Sequence, residues 1–134
     1  MTMKSTLAAL AAGLALGACG AAALSADPPP PPKAYVVAEI NVTDLDAYRE
    51  YVQAAFPVIQ KYGGKFLTRG GTTVHVEGMP PAERVMIIEF ASFDRAREFE
   101  YSKDYTDIAP LRQRSAESRL FIVEGAVDVV SAAP

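Results

Sequence analysis

The sequence predicts an α+β fold: an antiparallel four-stranded sheet in the ferredoxin-like order βαββαβ, with helices on one face. Segments rich in β-branched residues alternate with amphipathic helical segments in that order. Three strands, around residues 36–38, 85–88 and 120–123, are almost continuously apolar, which indicates burial on both faces. Because the helices cover one face only, we expect a second copy to cover the other and form a homodimer. The alternative is a monomer whose own loops or tail cover the sheet.

Residues 1–18 are typical of a secretory signal peptide. Lys4 lies in a short polar start and is followed by an uncharged apolar run over residues 7–18. That run is shorter than the roughly 20 residues that a membrane-spanning helix needs. We therefore expect export to the periplasm or the cell envelope.

Cys19, the single cysteine of the chain, lies directly after this segment. The run Leu16–Cys19 resembles the bacterial lipobox, in which the cysteine is lipidated and becomes the mature N-terminus. It predicts that the protein contacts the membrane only through a lipid anchor at Cys19. The alternative is an ordinary signal, cut near Ala23 or after Ala26, and simple secretion.

Residues 19–33 are expected to hold the lipidation site and a tether. Five consecutive prolines, Pro28–Pro32, favour an extended polyproline II segment, which is a semi-rigid spacer. The alternative is a ligand for a proline-binding module. The folded domain is expected over residues 34–126, with a loose C-terminal tail over residues 127–134.

The first half of the domain predicts a strand and a helix. Ala34–Val42 is rich in β-branched residues and lacks glycine and proline. Thr43 is the expected cap of the following helix. Apolar side chains recur at helical spacing up to Tyr62, and Pro57 is expected to kink the helix before Gly63 ends it.

The region Lys65–Glu77 predicts a second strand that is interrupted by Gly70 and Gly71. The two glycines either turn a tight hairpin or place a bulge in one long strand. We favour the bulge, because two short arms with little alternation would make a poor isolated hairpin. A loop over residues 78–83 and a third strand, Arg84–Ala91, follow.

Helical segments and a strand complete the domain. Ser92 is the expected cap of a helix with Phe93 and Phe99 on one face. A further helical stretch is expected from about residue 103 to residue 115. The last strand is expected over Arg119–Gly125.

Several motifs resemble a known bacterial family. They are Ala34–Asp44, Tyr62–Gly71 with its two Gly-Gly pairs, Ser102–Tyr105, Leu111–Arg114 and Val123–Gly125. Together they are similar to the family known as domain of unknown function 1330, over about residues 33–125. The resemblance implies the dimeric αβ-barrel superfamily, which includes cofactor-independent monooxygenases, small isomerases and haem enzymes with extra elements. It implies a fold but no settled activity, and a signal and tether would be additions to it.

Each of the three most apolar strands contains one carboxylate: Glu39, Glu89 and Glu124. A charge in such a strand is unfavourable unless it is paired. The available partners are arginines and tyrosines, namely Arg69, Arg84, Arg112, Arg119, Tyr35, Tyr48, Tyr51 and Tyr105.

Two interpretations of this set stay open. In the first, a pocket between sheet and helices holds Glu39 or Glu89 as a catalytic base of raised pKa. Arg69 is then the strongest candidate for anion recognition, because its guanidinium fork suits carboxylates. The further ligand-binding candidates are Tyr35, Tyr48, Tyr105, Glu124 and Arg112. In the second interpretation the set forms structural Glu–Arg pairs at the sheet ends or the dimer seam.

Other signals exclude several classes of function. The 13 basic residues form no dense run against 16 acidic ones, which argues against nucleic-acid binding. His75 is the single histidine and has no zinc-ligand spacing around it, so we expect no metal. The sequence contains no phosphate loop, dinucleotide fingerprint or serine nucleophile elbow, and we expect no cofactor.

Two functions remain open. The first is a small-molecule-binding domain or cofactor-independent enzyme that acts on an apolar, oxygen-bearing compound by proton transfer or oxygen addition. The second is a non-catalytic, envelope-tethered dimer that serves as an interaction module. A discrete internal cavity lined by the candidate side chains favours the first, and a filled interior favours the second.

Overall fold

The computed structural model of the chain describes residues 26–127. In chain order its elements are β1 (Ala34–Val42), α1 (Leu45–Lys61), β2 (Lys65–Arg69), β3 (Arg84–Phe90), α2 (Phe93–Tyr101), α3 (Lys103–Gln113) and β4 (Ala116–Glu124). The strands form one antiparallel sheet in the order β2-β3-β1-β4. The predicted α+β, ferredoxin-like fold class is confirmed.

Strand β1 lies at the centre of the sheet, where Val36 pairs with Ile88 of β3 and Ile122 of β4. Every second residue from Ala34 to Ile40 is buried, and these residues point towards the helices. We call this side of the sheet the helix face. The intervening residues of β1 are only partly buried and point to the opposite side, which we call the outer face.

The hydrophobic core lies between the helix face and the helices. Its largest fully buried side chains include Phe90 of β3 and Phe99 of α2. The ring centroid of Phe99 is 5.1 Å from that of Phe90 and 4.6 Å from that of Tyr105 on α3. Burial of each side chain of this size stabilises the fold by roughly 2–3 kcal/mol, so this aromatic cluster fixes α2 and α3 against the sheet.

The start of α1 differs by one residue from the prediction. Asp44, rather than Thr43, caps the helix, and its carboxylate accepts a hydrogen bond from the Ala47 N–H at 3.1 Å. The Thr43 N–H instead donates to the Ser115 carbonyl at 2.8 Å, which fixes the entry to α1 beside the start of β4. Pro57 lies within α1, and the helix continues past it.

The expected long strand over Lys65–Glu77 is wrong. Strand β2 ends at Arg69, and Gly70 turns the chain with a φ of +70°, while its N–H donates to the Val85 carbonyl at 3.2 Å. Residues 71–83 form a loop, because any further pairing of residues 71–77 would have to be with a segment that contains Pro80 and Pro81. The bulge in this strand lies earlier, between Phe66 and Thr68.

The last two elements also have different bounds from those predicted. Ser102 caps α3, since its hydroxyl accepts a hydrogen bond from the Tyr105 N–H at 3.1 Å. The helix ends at Gln113, two residues before the expected position. Strand β4 begins at Ala116 and runs the length of β1, which gives the sheet a longer edge strand than expected.

Several predictions concern the two ends of the chain. The signal peptide over residues 1–18, the lipidation site Cys19 and most of the tail over residues 127–134 lie outside the described residues. Within residues 26–127, no helix has both the length and the apolar character that crossing a membrane requires.

Candidate functional site

A cavity of about 50 Å³ lies between α1 and the helix face of the sheet. Since one water molecule needs about 10–15 Å³ by this measure, the cavity admits a small apolar group or several waters. Two small side chains, Ala38 of β1 and Ala55 of α1, border the space and help to leave it open. The rest of the lining is mostly apolar and includes Val36, Ile40, Ile59, Met86, Ile88 and Leu120.

Three buried tyrosines bring hydroxyl groups to this cavity: Tyr48 and Tyr51 from α1, and Tyr105 from α3. The hydroxyl oxygens of Tyr51 and Tyr105 are 3.0 Å apart and share a hydrogen bond. The Tyr48 hydroxyl is buried and has no hydrogen-bond partner. An unsatisfied buried hydroxyl is unfavourable by about 1–3 kcal/mol, so it marks a position where a ligand oxygen or a water would be bound.

Glu100 of α2 is the carboxylate of the cavity. Its Oε1 atom is buried and has no hydrogen-bond partner. Burial raises the pKa of Glu100 to about 7, and the nearby Arg112 offsets part of the effect. Near neutral pH the carboxyl group is therefore divided between its acid and base forms, as a proton-transfer group must be.

Arg112 of α3 is a buried cation beside these groups, with only 8% of the residue exposed. It donates to the Ser118 hydroxyl of β4, and its Nε atom has no partner. Burial lowers the pKa of Arg112, whereas Tyr105 and the groups beside it raise it more, so the guanidinium remains charged. Its Cζ atom lies 5.9 Å from the Tyr51 ring centroid.

Arg69, the last residue of β2, lies at one edge of the cavity. Its Cζ atom is 5.2 Å from the Phe56 ring centroid and 4.9 Å from the Phe66 ring centroid. The attraction between a cation and aromatic faces holds the side chain over apolar surface while the guanidinium stays accessible. The bulge between Phe66 and Thr68 restores Arg69 to the helix face, opposite Met86.

The cavity brings together part of the predicted site. Arg69, Tyr48 and Tyr105 line it, and Arg112 adjoins it through Tyr51. These four residues come from β2, α1 and α3, so their proximity depends on the tertiary fold.

The other predicted carboxylates do not reach the cavity. Glu39 and Glu89 lie on the outer face of the sheet. Arg119 of β4 forms an ion pair with Glu39 and, through this hydrogen bond, lowers the pKa of Glu39. Lys33 pairs with Glu89 at 2.6 Å. Both carboxylates are thus engaged in ion pairs away from the helices.

Two further candidates also lie apart from the cavity. Tyr35 is opposite Glu89 in the pairing of β1 with β3, which places it on the outer face. Glu124 is exposed at the end of β4, opposite Ala34. Neither lines the cavity.

Comparisons with known proteins agree with this architecture. Residues 33–126 match the family described as Domain of unknown function (DUF1330). The chain belongs to this family. The resemblance predicted from the sequence motifs is therefore confirmed. No curated protein sequence matches the chain.

Two solved structures share the fold of the DUF1330 domain. A protein of unknown function from Rhodopseudomonas palustris is similar with a TM-score of 0.58 and 20% identity, covering 72% of this chain and 84% of that one. The cofactor-independent oxygenase SnoaB from Streptomyces nogalater is similar with a TM-score of 0.50 and 10% identity, covering 73% of this chain and 97% of that one. At such identities the likeness extends to the fold alone.

Glu100 is the site residue of the DUF1330 domain that the sequence analysis did not name. Glu100 lies four residues after Ala96 and seven after Phe93, on the stripe that α2 turns towards the core. A carboxylate that continues an apolar helical stripe is the signal that would have revealed it. Tyr51, which the sequence offered as a partner for the strand carboxylates, instead shares its hydrogen bond with Tyr105.

Residues 26–127 contain no group of three or more His, Cys, Asp or Glu side chains placed to hold a metal ion. His75 is exposed in the loop between β2 and β3. The donors around the cavity are guanidinium and hydroxyl groups, which suit an organic oxygen or an anion.

Proposed function

We propose that the DUF1330 domain binds an apolar, oxygen-bearing small molecule and takes a proton from it without a cofactor. The observation that carries this proposal is Glu100, whose Oε1 atom is buried and unpartnered at the wall of an apolar cavity. With its pKa raised by burial to about 7, the Glu100 carboxylate can accept and return a proton near neutral pH.

The substrate proton would come from a C–H bond beside a carbonyl, or from an enol or phenol O–H. The proton moves to the Glu100 carboxylate, and the electron pair stays on the substrate as an enolate or phenolate. Arg112 is a fixed cation whose charge already acts on Glu100. A fixed cation of this kind stabilises a developing oxyanion, because it needs no reorganisation during the reaction.

The fold supports a reaction of this class. The cofactor-independent oxygenase from Streptomyces nogalater has a similar fold, which supports chemistry that uses no bound cofactor. Addition of dioxygen to the substrate anion would extend the same proton-transfer step. Proton transfer alone would give an isomerase.

Hydrogen–deuterium exchange into substrate C–H bonds tests this proposal directly. The purified protein is incubated in deuterated buffer with small aliphatic ketones and 1,3-dicarbonyl compounds, and exchange at the carbon beside the carbonyl is followed by NMR. We expect catalysed exchange that Glu100→Gln abolishes. Glu98→Gln is the matched control, because Glu98 is on the same helix but pairs with Arg95 at the surface. Exchange that is equal in wild type and Glu100→Gln would show that the proposal is wrong.

The outer face of the sheet favours a homodimer. Its apolar side chains include Val37, Ile87, Phe121 and Val123 on three adjacent strands. Phe121 is 45% exposed and Val123 is 44% exposed. A second copy packed sheet against sheet would cover these side chains.

The loop over residues 71–83 favours a second candidate function. It exposes 82% of Val74, 90% of Val76 and 91% of Met79. Apolar side chains presented together at such exposure are typical of a surface that contacts another protein. The alternative function is therefore a non-catalytic dimer that serves as an interaction module of the cell envelope.

The sequence before the domain supports an envelope location. The pattern over residues 1–18 is that of a signal peptide, and Cys19 ends a lipobox-like run. We propose that the protein is exported, cut before Cys19 and anchored there by lipid, with residues 19–33 as the tether. The membrane contact would then be the lipid alone, since acyl chains contribute about 0.8 kcal/mol per buried CH₂ group.

A further inference from the structure

Three arginines lie near Tyr48, a buried residue whose hydroxyl has no hydrogen-bond partner. Tyr48 is 2% exposed, and its hydroxyl makes no hydrogen bond. The Cζ atom of Arg84 lies 5.5 Å from the Tyr48 ring centroid. Arg69 lines the same cavity, and Arg112 lies beside the neighbouring ring of Tyr51. The charges of all three act on the Tyr48 phenol, which places them within electrostatic range of one point.

These three arginines form no ion pair with a carboxylate, unlike most other arginines of the described residues. Within residues 26–127, each of the four following arginines forms an ion pair with a carboxylate: Arg49, Arg95, Arg114 and Arg119. Arg69, Arg84 and Arg112 form no such pair in the same part of the chain, and neither does Arg97, which lies away from the cavity. Arg112 is held instead by the neutral Ser118 hydroxyl. The charges that act on Tyr48 are thus positive, whereas Glu100, the carboxylate of the cavity, acts on Arg112.

Two of these charges lie where the cavity meets an adjoining surface groove: Arg69 lines the cavity, Arg84 lines the groove, and Tyr48 lines both. We call this place the arginine corner. Arg69 ends β2 on the helix face, and Arg84 begins β3 on the same face, opposite Ile40. Gly70 follows Arg69 in the chain and lies close to Arg84, since a Cβ atom at Gly70 would be 3.8 Å from the Arg84 Cβ and Cγ atoms. Arg69 is fixed further by Phe56 and Phe66. The corner therefore presents two guanidinium groups beside the buried Tyr48.

The arginine corner suits an anion, and the rest of the cavity indicates what kind of group the anion is attached to. The lining beyond the arginine corner is apolar and includes Ala38, Ala55 and Ile59. A small hydrated anion would leave that surface without contacts. An anion joined to an apolar body would satisfy both parts, because the guanidinium fork matches a carboxylate and the apolar body displaces water from the wall.

We propose that the cavity binds an organic monocarboxylate, with its carboxylate between Arg69, Arg84 and the Tyr48 hydroxyl and its apolar body between α1 and the sheet. The proposal names the substrate class of the proposed proton-transfer site. Binding of the acid is independent of that function, and only the reaction of the bound acid rests on it. The carboxylate end lies at the arginine corner. The opposite end of the ligand then faces Glu100, the group assigned to accept the proton.

Calorimetric titration of the purified protein tests this ligand class. The probes are propanoate and butanoate, their neutral amides propanamide and butanamide, and inorganic phosphate. We expect each acid to bind at least about tenfold more tightly than its amide, since the amide keeps the shape and loses the charge. Arg69→Gln and Arg84→Gln should each weaken acid binding about tenfold and leave amide binding unchanged.

Three controls make the outcome decisive. Arg49→Gln removes a charge that is near the start of α1 but is paired with Asp46, and it should leave acid binding unchanged. Arg69→Lys keeps the charge and loses the fork, so it should weaken binding if the carboxylate is held by two parallel hydrogen bonds. Circular dichroism establishes that each variant is folded.

The results separate this proposal from that of proton transfer. Equal affinity for acid and amide, absence of binding by any acid, or wild-type binding by folded Arg69→Gln and Arg84→Gln overturns the monocarboxylate. Binding of phosphate in preference to the acids also overturns it and identifies a phosphate site instead. If acids bind as expected and no proton exchange occurs with Glu100 intact, the ligand class stands and the proposed reaction is wrong.

Discussion

The Tyr51 hydroxyl lies 3.0 Å from the Tyr105 hydroxyl, and this buried hydrogen bond joins α1 to α3 across the top of the cavity. Burial raises the pKa of Tyr51, so the Tyr51 phenol remains neutral at physiological pH. Tyr51→Phe leaves the Tyr105 hydroxyl unpaired, and we expect it to lower the free energy of unfolding by about 1–3 kcal/mol. Urea denaturation followed by circular dichroism measures the change.

A double-mutant cycle isolates this hydrogen bond. Tyr51→Phe with Tyr105→Phe removes both hydroxyls, so the double variant should lose less stability than the sum of the single variants. Tyr101→Phe is the control, because Tyr101 is 76% exposed and its hydroxyl should matter by less than about 0.5 kcal/mol. Additive losses in the cycle would mean that the two hydroxyls do not interact.

The raised pKa of Glu100 makes the stability of the domain depend on pH. Its folded-state pKa of about 7 exceeds the unfolded-state value of about 4.3. At a pH between these two values, the folded chain retains a proton that the unfolded chain releases. The free energy of unfolding should be greatest below the lower value. It should fall by up to about 3 kcal/mol as the pH rises through the higher one.

Glu100→Gln removes this titration. We expect the variant to match wild type near pH 4 and to be more stable than wild type at pH 8, as measured by urea denaturation across this range. Glu98→Gln should keep the wild-type profile, because Glu98 is at the surface. Parallel profiles for wild type and Glu100→Gln would contradict the burial of an unpaired carboxyl.

Gly64, which follows α1, lies where a side chain has no room. A Cβ atom at this position would be 2.7 Å from the Ile59 Cγ2 atom and 3.0 Å from both the Ile88 Cγ2 and Phe90 Cζ atoms. Gly64→Ala should therefore lower the free energy of unfolding by about 1–3 kcal/mol, through overpacking. Gly71→Ala is the matched control, because nothing lies within 4 Å of its Cβ position. Equal stability of the two variants, measured by thermal unfolding, would count against this packing.

Most of the fold was predictable because its elements carry local signals. The bounds of β1 follow from its β-branched run, and the start of α2 follows from Ser92, which caps the helix. Local signals failed where pairing decides the outcome. Residues 71–77 have strand-forming side chains, but the segment facing them contains Pro80 and Pro81, so they form a loop.

The site was predictable in part, and the limit was the side of the sheet. Because the strands are apolar on both faces, the sequence does not say which face Glu39 and Glu89 occupy. Pairing with β3 fixes both of them on the outer face. Arg69 reaches the helix face only through the bulge after Phe66, which no local signal reveals. The cavity itself arises from the distance between α1 and the sheet, a purely tertiary property.

The outer face of the sheet predicts the oligomeric state. Phe121→Arg would place a charge among Val37, Ile87 and Val123, and we expect it to convert a dimer into a monomer. Size-exclusion chromatography with light scattering measures the oligomeric state. Leu45→Arg is the control, because Leu45 is 46% exposed at the start of α1, on the opposite side of the sheet. A wild-type monomer, or a Phe121→Arg dimer of unchanged affinity, would contradict the proposed interface.

The lipid anchor predicts where the protein is found after cell fractionation. A chain processed at Cys19 should sediment with membranes and resist extraction by high salt, because acyl chains hold it through apolar burial and not through charge. Cys19→Ser should release the protein into the soluble fraction or leave it uncleaved, and mass spectrometry of the mature N-terminus distinguishes these outcomes. The substitution lies outside the folded domain, so stability should not change. An unmodified Cys19, or a mature N-terminus beyond it, would establish simple secretion, and the five prolines would then no longer serve as a membrane spacer.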